Sequence, residues 1–170
     1  MITKKMESAL NEQINAELWS AYLYLAMSLD AEAKALKGIA NWFYVQWLEE
    51  QDHARIFQDF LSDIGARVEL KSIDSVPQEW DTPLEMFKVT LRHEKNVTEM
   101  IWNLVRLALK EQDFATLSRL QWFVDEQIEE ERSAGDIAQY LESAKGDYAA
   151  LRDIDEKLAD RKYEKASPLK

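Results

Sequence analysis

Apolar residues recur at three- and four-residue steps through most of the chain, and this spacing predicts helices rather than strands. The first, α1, runs from about Thr3 to Glu32. A short break around Lys37 and Gly38 precedes α2, from about Ile39 to Ile64, with Gly65 as its C-terminal cap. The stretch from Ala66 to Asp81 has no helical period and carries Pro77. It is longer than neighbouring antiparallel helices need, so it is predicted to cross the length of a bundle and to leave α2 and α3 parallel. Thr82, Pro83 and Glu85 have the pattern of a capping box and open α3, which continues to about Lys110. A turn at Glu111, Gln112 and Asp113 leads to α4, from Phe114 to about Lys145, closed by Gly146. A shorter α5 follows from Tyr148 to about Lys162, and the tail from Glu164 to Lys170 is predicted to fray. The expected fold is all-α: a four-helix bundle with a long α2–α3 crossover and a short fifth helix, one domain over residues 1–170.

Placed on wheels at about 100° per residue, four of the helices bury polar groups inside their apolar stripes. Met6, Leu10, Ile14, Ala21 and Leu25 define the stripe of α1, and Glu17 and Tyr24 fall within it or at its edge. Ile39, Phe43, Phe57, Leu61 and Ile64 share a face of α2 with Glu50 at its centre and His53 on the same side. Phe87, Leu91, Ile101 and Val105 surround Glu94 on α3. Leu120, Phe123, Ala134, Ile137 and Leu141 make the stripe of α4, with Gln127 and Glu130 inside it. One inward carboxylate is ordinarily the partner of a buried arginine or is partly exposed. Four of them in a common core would cost several kcal/mol each without compensation, and the stripes supply no matching Lys or Arg. A cation from outside the sequence is required.

Composition narrows which cation. The absence of cysteine removes thiolate sites, iron–sulfur clusters and disulfides. Any metal must therefore sit on oxygen and nitrogen, a donor set that suits iron or manganese better than structural zinc. Glu50 and His53, at i and i+3, can grip one ion from a single helix face. The net charge of −11 and pI near 4.7 argue against nucleic acid as a partner. The N-terminus has no apolar leader and no apolar run is long enough to span a bilayer, so neither a membrane nor export is expected, and the cytoplasm is the default location.

Taken together, NEQINAE in α1, EEQDHA in α2, HE in α3 and QWFVDEQIEEE in α4 resemble the ferritin family, over essentially the whole chain. The resemblance implies ferroxidase chemistry and iron storage. It implies a first iron held by Glu17, Glu50 and His53, and a second by Glu94 and Glu130 with Glu50 bridging. Gln127 would line the side that meets oxygen, and Tyr24 would hydrogen-bond or donate an electron nearby. It also implies a shell of 24 subunits that takes up Fe(II) and O2 or H2O2. At −11 per chain, such a shell would carry a formal charge on the order of −260, which would concentrate cations.

Departures from sister families point to the prokaryotic non-haem type. Bacterioferritins and rubrerythrins carry a second E-x-x-H on the fourth helix, where this chain has Gln127 and Glu130. Bacterioferritins also bind haem through a methionine after the bridging glutamate, and that position is Gln51, so no haem is expected. In prokaryotic non-haem ferritins, residues matching Glu49, Glu126 and Glu129 form a third iron site with Glu130, although a run such as QIEEER is also what a solvated face looks like. Glu131 is expected on that solvated face. His93 is expected at the surface or an interface, and Trp122 beside the centre without a redox role. Two other readings remain open at this point: a di-iron or di-manganese oxidase of an organic substrate, and a purely structural bundle with a polar core.

Overall fold

The computed structural model describes residues 2–168 and contains five helices, with no strand among the described residues. They are α1 (Lys4–Ala33), α2 (Lys37–Asp63), α3 (Pro83–Glu111), α4 (Phe114–Ser143) and α5 (Tyr148–Leu158). Two apolar clusters fill the bundle and fix its topology. One joins Met6, Leu10 and Ile14 with Phe57 and Leu61, Ile101 and Leu104, and Leu120 and Phe123. The other joins Met27 and Ala31 with Ile39 and Phe43, Met86 and Phe87, and Ile137 and Leu141. The N-terminal ends of α1 and α4 thus lie with the C-terminal ends of α2 and α3, and α2 and α3 run parallel as expected. No helix among the described residues is long and apolar enough to cross a membrane.

The parallel arrangement requires a crossover, and α1 carries it. Asn11 donates to the carbonyl of Arg67 (2.9 Å) and accepts the N–H of Glu69 (2.7 Å), while Asn15 donates to the carbonyl of Glu69 (2.9 Å) and accepts the N–H of Lys71 (2.7 Å). Four residues of helix rise about 6 Å and two residues of extended chain about 6.6 Å, so the amides repeat in step with the extended segment they hold. At the far end Asp30 accepts the N–H of Trp80 (3.0 Å).

Helix ends differ from the sequence expectation where tertiary partners intervene. Thr3 and Thr82 cap α1 and α3 by accepting from Met6 and Glu85 (each 3.1 Å), and Glu85 reaches back to the Asp81 N–H (2.9 Å). Helix α2 ends as predicted. Gly65 takes a positive φ of 71°, with Ala66 N–H on the Leu61 carbonyl (2.8 Å) and Gly65 N–H on that of Ser62 (3.0 Å), a Schellman closure.

Its start corrects the prediction. Gly38 is inside the first turn rather than in a break. A Cβ there would stand 1.6 Å from the Asp155 carbonyl oxygen, so the missing side chain lets α5 lie against the end of α2. Asp155 also accepts the N–H of Ile39 (2.8 Å), acting as a cap supplied by another helix. Helix α5 stops at Leu158, before the expected Lys162, because the Asn41 amide on α2 takes the carbonyls of Leu158, Ala159 and Arg161 (3.2, 3.3 and 3.0 Å). The tail is not frayed up to Ala166: Tyr163 donates its hydroxyl to Asp52 (2.7 Å), as does the Ala166 N–H (2.9 Å). The last part of the expected fraying, Leu169 and Lys170, lies outside the described residues.

Candidate metal centre

Between the two apolar clusters the bundle is polar. Glu17, Glu50, His53 and Glu94 are each at most 2% exposed, Gln127 is 3% and Glu130 5% exposed. Each of the four main helices contributes a carboxylate from the face that, a turn away, contributes Leu, Ile or Phe. The E-x-x-H spacing brings Glu50 and His53 together, with the imidazole Nδ1 3.4 Å from a Glu50 oxygen but not aligned as a hydrogen bond. Phe123 meets the His53 ring edge-on at 5.9 Å and is itself stacked on Phe57 at 4.0 Å, which orients the imidazole through packing.

Two groups of three side chains could each hold an ion. Glu17, Glu50 and His53 place one donor atom apiece within 4.8 Å of one another, and so do His53, Glu126 and Glu130. The first group is the expected one. In the second, Glu130 is joined by His53 and Glu126, while Glu94 turns elsewhere: it accepts from Tyr24 Oη on one oxygen and from Gln127 Nε2 (3.2 Å) on the other. Gln127 also reaches the Glu94 carbonyl (3.3 Å) and Thr98 (3.4 Å). Glu126 lies 4.0 Å from His53 Nε2. Glu49 does not join either group and is paired with Arg161 at 2.5 Å, and Glu129 is exposed.

The electrostatics follow from burial. Burial foremost, and then the Glu50 charge, push Glu17 up to about 8. Burial and the Glu130 charge do the same to Glu94, also to about 8. Glu50 is raised well above the carboxylate range by burial and by Glu94 and Glu130. Glu49 is raised to about 7, mainly by burial and against the pull of Arg161. Burial likewise raises Glu126. Tyr24 is pushed well above its ordinary value by burial and by the carboxylate it touches, so it is a phenol that donates. Four buried atoms, Glu17 Oε2, Glu50 Oε2, His53 Nε2 and Gln46 Oε1, have no hydrogen-bond partner. Among the described residues no Lys or Arg pairs with Glu17, Glu50, Glu94 or Glu130. Unsatisfied lone pairs on carboxylates and an imidazole, converging in a buried core, are the donor set of a hard or borderline divalent cation.

Several residues around the centre escaped the sequence reading. Gln13 donates to Glu17 (2.9 Å) and Gln46 to Glu130 (2.9 Å), each completely or almost completely buried. Each stands one turn before a site glutamate, Gln13 four residues ahead of Glu17 and Gln46 four ahead of Glu50, so the wheel held the signal. Arg161 gave none. His93, expected at the surface or an interface, is half-buried. It hydrogen-bonds Ser20 (2.7 Å), packs between Trp19 and Tyr24 at 5.4 and 6.0 Å, and is driven down to about 4 by burial, a neutral ring between α1 and α3. Glu131 is half-buried rather than solvated, accepting the Thr98 hydroxyl (2.6 Å). Trp122 meets His53 edge-on at 5.5 Å, beside the centre as expected.

Comparison with known proteins places this geometry in context. A family model described as a ferritin-like domain matches residues 7–144. The chain is 41% identical over 161 residues to a bacterial non-heme ferritin of Bacteroides fragilis, covering 95% of this chain and all of the relative. It is 36% identical over 164 residues to a bacterial non-heme ferritin of Staphylococcus haemolyticus, covering 96% and 99%. Among solved structures, an open pore ferritin from the hyperthermophilic archaeon Archaeoglobus fulgidus superimposes with a TM-score of 0.94 at 48% identity, covering 95% of this chain and all of the other. A closed form of that ferritin, engineered by mutagenesis, gives 0.95, again at 48% identity and with 96% of this chain covered.

Proposed function

The chain belongs to the ferritin family, a family of iron storage, and from that premise we propose that it oxidises Fe(II) at an intrasubunit pair of sites and stores the ferric product inside a hollow shell of like subunits. The observation that carries this reading is the set of buried carboxylates and one imidazole, drawn from four helices, with unpartnered donor atoms and, among the described residues, no Lys or Arg paired with the inner four carboxylates. Fe(II) is the substrate, and Glu17, Glu50 and His53 bind the first ion. Glu130 binds the second, with Glu50 between the two. Glu94, one bond from both Tyr24 and Gln127, is poised to exchange those neutral partners for a metal ion.

Each Fe(II) gives up one electron to O2 or H2O2, and oxidation and hydrolysis to ferric oxyhydroxide together release a net two protons per iron. Glu17, Glu50 and Glu94 are protonated more readily than ordinary carboxylates, so binding the cation drives off their protons as well. Gln13 and Gln46 keep Glu17 and Glu130 oriented through this change of charge, and the Phe57–Phe123 stack keeps His53 in place. On the interior side, Glu49, Glu126 and Glu129 offer a third position with Glu130 through which iron would leave the pair. The shell is proposed to contain 24 chains in the cytoplasm. At 19.9 kDa each it would elute near half a megadalton.

Glu50→Ala and His53→Ala are expected to slow the appearance of near-ultraviolet ferric absorbance under air by on the order of 10–100-fold, with the shell still assembled on size-exclusion chromatography. Unchanged oxidation in both would refute the assignment of the centre.

A further inference from the structure

Helix α5 and the tail behind it form a strap along α2. Asp155 caps Ile39 at 2.8 Å, the Asn41 amide holds the last carbonyls of α5, and Asp52 receives Tyr163 and the Ala166 N–H. Midway along this strap Arg161 is fixed on three sides. Its guanidinium carbon stands 4.6 Å from the centre of the Trp42 ring, Nη1 donates to the Trp42 carbonyl (3.3 Å), and Nη2 meets Glu49 at 2.5 Å. Trp42 is only 4% exposed and rests on Phe43 and Phe87, so the surface beneath the guanidinium does not yield.

Among the described residues Arg161 is the one Lys or Arg paired with any carboxylate of the centre or its flank. Glu49 is the neighbour in sequence of Glu50, and its side chain is only 18% exposed, yet it stands outside both donor groups. The pair to Arg161 is what accounts for that.

We infer that Arg161 is a positioning residue that holds Glu49 off the inner flank of the centre, and that Glu49 leaves it to complete the third metal position only when an ion arrives there. The inference rests on the third position proposed above and adds what controls its occupation. The exchange is balanced at both ends. When Glu49 turns toward Glu126 and Glu130, Arg161 keeps the Trp42 ring and carbonyl and is left facing solvent on its free edge, so no buried charge is stranded. An arriving divalent ion gains a third carboxylate but must first compete with a guanidinium already in place. The third position is thereby weaker than the inner pair by construction, which suits a site that passes iron onward. It also ties that site to the docking of α5, since Arg161 is placed by the strap.

Titration of the assembled, chelator-treated shell with Zn(II), followed by calorimetry, tests this with an ion that does not turn over. Arg161→Gln is expected to leave the two tighter ions per chain unchanged and to tighten the third by on the order of fivefold to tenfold, the scale of a half-buried ion pair. Arg161→Lys, which keeps the charge without the planar fork, is expected to lie between. In a Glu49→Gln background Arg161→Gln should have no further effect. Tyr163→Phe removes one hydrogen bond at Asp52 while Asp155 and Asn41 still dock the strap and leave Arg161 in place, and should not reproduce the tightening. Equal third-ion affinity in wild type and Arg161→Gln, an effect that persists with Glu49→Gln, or the same tightening from Tyr163→Phe would each overturn the inference while leaving the centre intact. Absence of any third ion in wild type and in Arg161→Gln would overturn the third position itself, and this inference with it.

Discussion

Glu17 permits a test in which activity and stability move in opposite directions. It is 1% exposed, one oxygen accepts from Gln13, the other has no partner, and Glu50 lies beside it. Its pKa rises from 4.5 to about 8, so the folded chain holds this proton where the unfolded chain has released it. The contribution to stability is complete below pH 4.5 and is lost as the pH rises toward 8, the reverse of an ion-paired carboxylate. At about 1.4 kcal/mol per pH unit, raising the pH from about 5.5 to about 7.5 removes roughly 2–3 kcal/mol from the chelator-treated protein on account of Glu17 alone.

Glu17→Gln keeps the bond to Gln13 through its amide oxygen and offers an N–H toward Glu50, whose own Oε2 lacks a partner. The variant does not titrate at this position and is therefore expected to gain roughly 2–3 kcal/mol on wild type between about pH 5.5 and about pH 7.5. Its Fe(II) oxidation should fall at least about tenfold through loss of a ligand charge. Denaturant unfolding at a fixed subunit concentration, followed by tryptophan fluorescence, measures the first effect, and an aerobic oxidation assay the second. If wild type and variant lost the same stability over this pH range, the burial argument for the centre would fail.

Other expectations follow from packing and backbone geometry. Gly38→Ala forces a methyl group into the Asp155 carbonyl and should release α5, seen as new proteolysis near residues 148–158 with Fe(II) oxidation at the inner pair retained. Asn11→Ala and Asn15→Ala each remove two hydrogen bonds from the crossover and should each cost about 1–2 kcal/mol in denaturant unfolding. Ala35 adopts a left-handed conformation with φ 59° at the end of α1, so Ala35→Gly should raise stability by about 0.5–1 kcal/mol despite the added freedom of the unfolded chain. Phe57→Ala empties a fully buried site against Phe123, the ring that orients His53, and should cost about 3–5 kcal/mol in the same unfolding experiment.

What could be read from the sequence, and what could not, divides by range of interaction. Helical period is local, and it placed five helices and the polar side chains inside four of the stripes, because Glu17, Glu50, Glu94 and Glu130 share faces with Leu, Ile and Phe a turn away, while the length of the stretch from Ala66 to Asp81 made α2 and α3 parallel. Gln13 and Gln46 lay on those same wheels. A buried neutral amide incurs no charge penalty and so raises no demand for a cation, although each of these two orients a carboxylate that does. The remaining misses are contacts across more than a hundred residues. Asp155 on Ile39, Asn41 on the end of α5, Asp52 on the tail and Arg161 on Glu49 leave no period and no motif, since each partner taken alone is an ordinary polar residue in a polar stretch. Gly38 illustrates the consequence. Read locally it interrupts a helix, whereas its reason for being glycine is a backbone carbonyl on α5. The same division bears on chemistry: the inner pair is built from the bundle's own periodic faces, which any well-packed chain of this pattern would assemble. The flank that includes Glu49 depends on a strap that only the folded chain brings there, so the two are expected to respond separately to mutation.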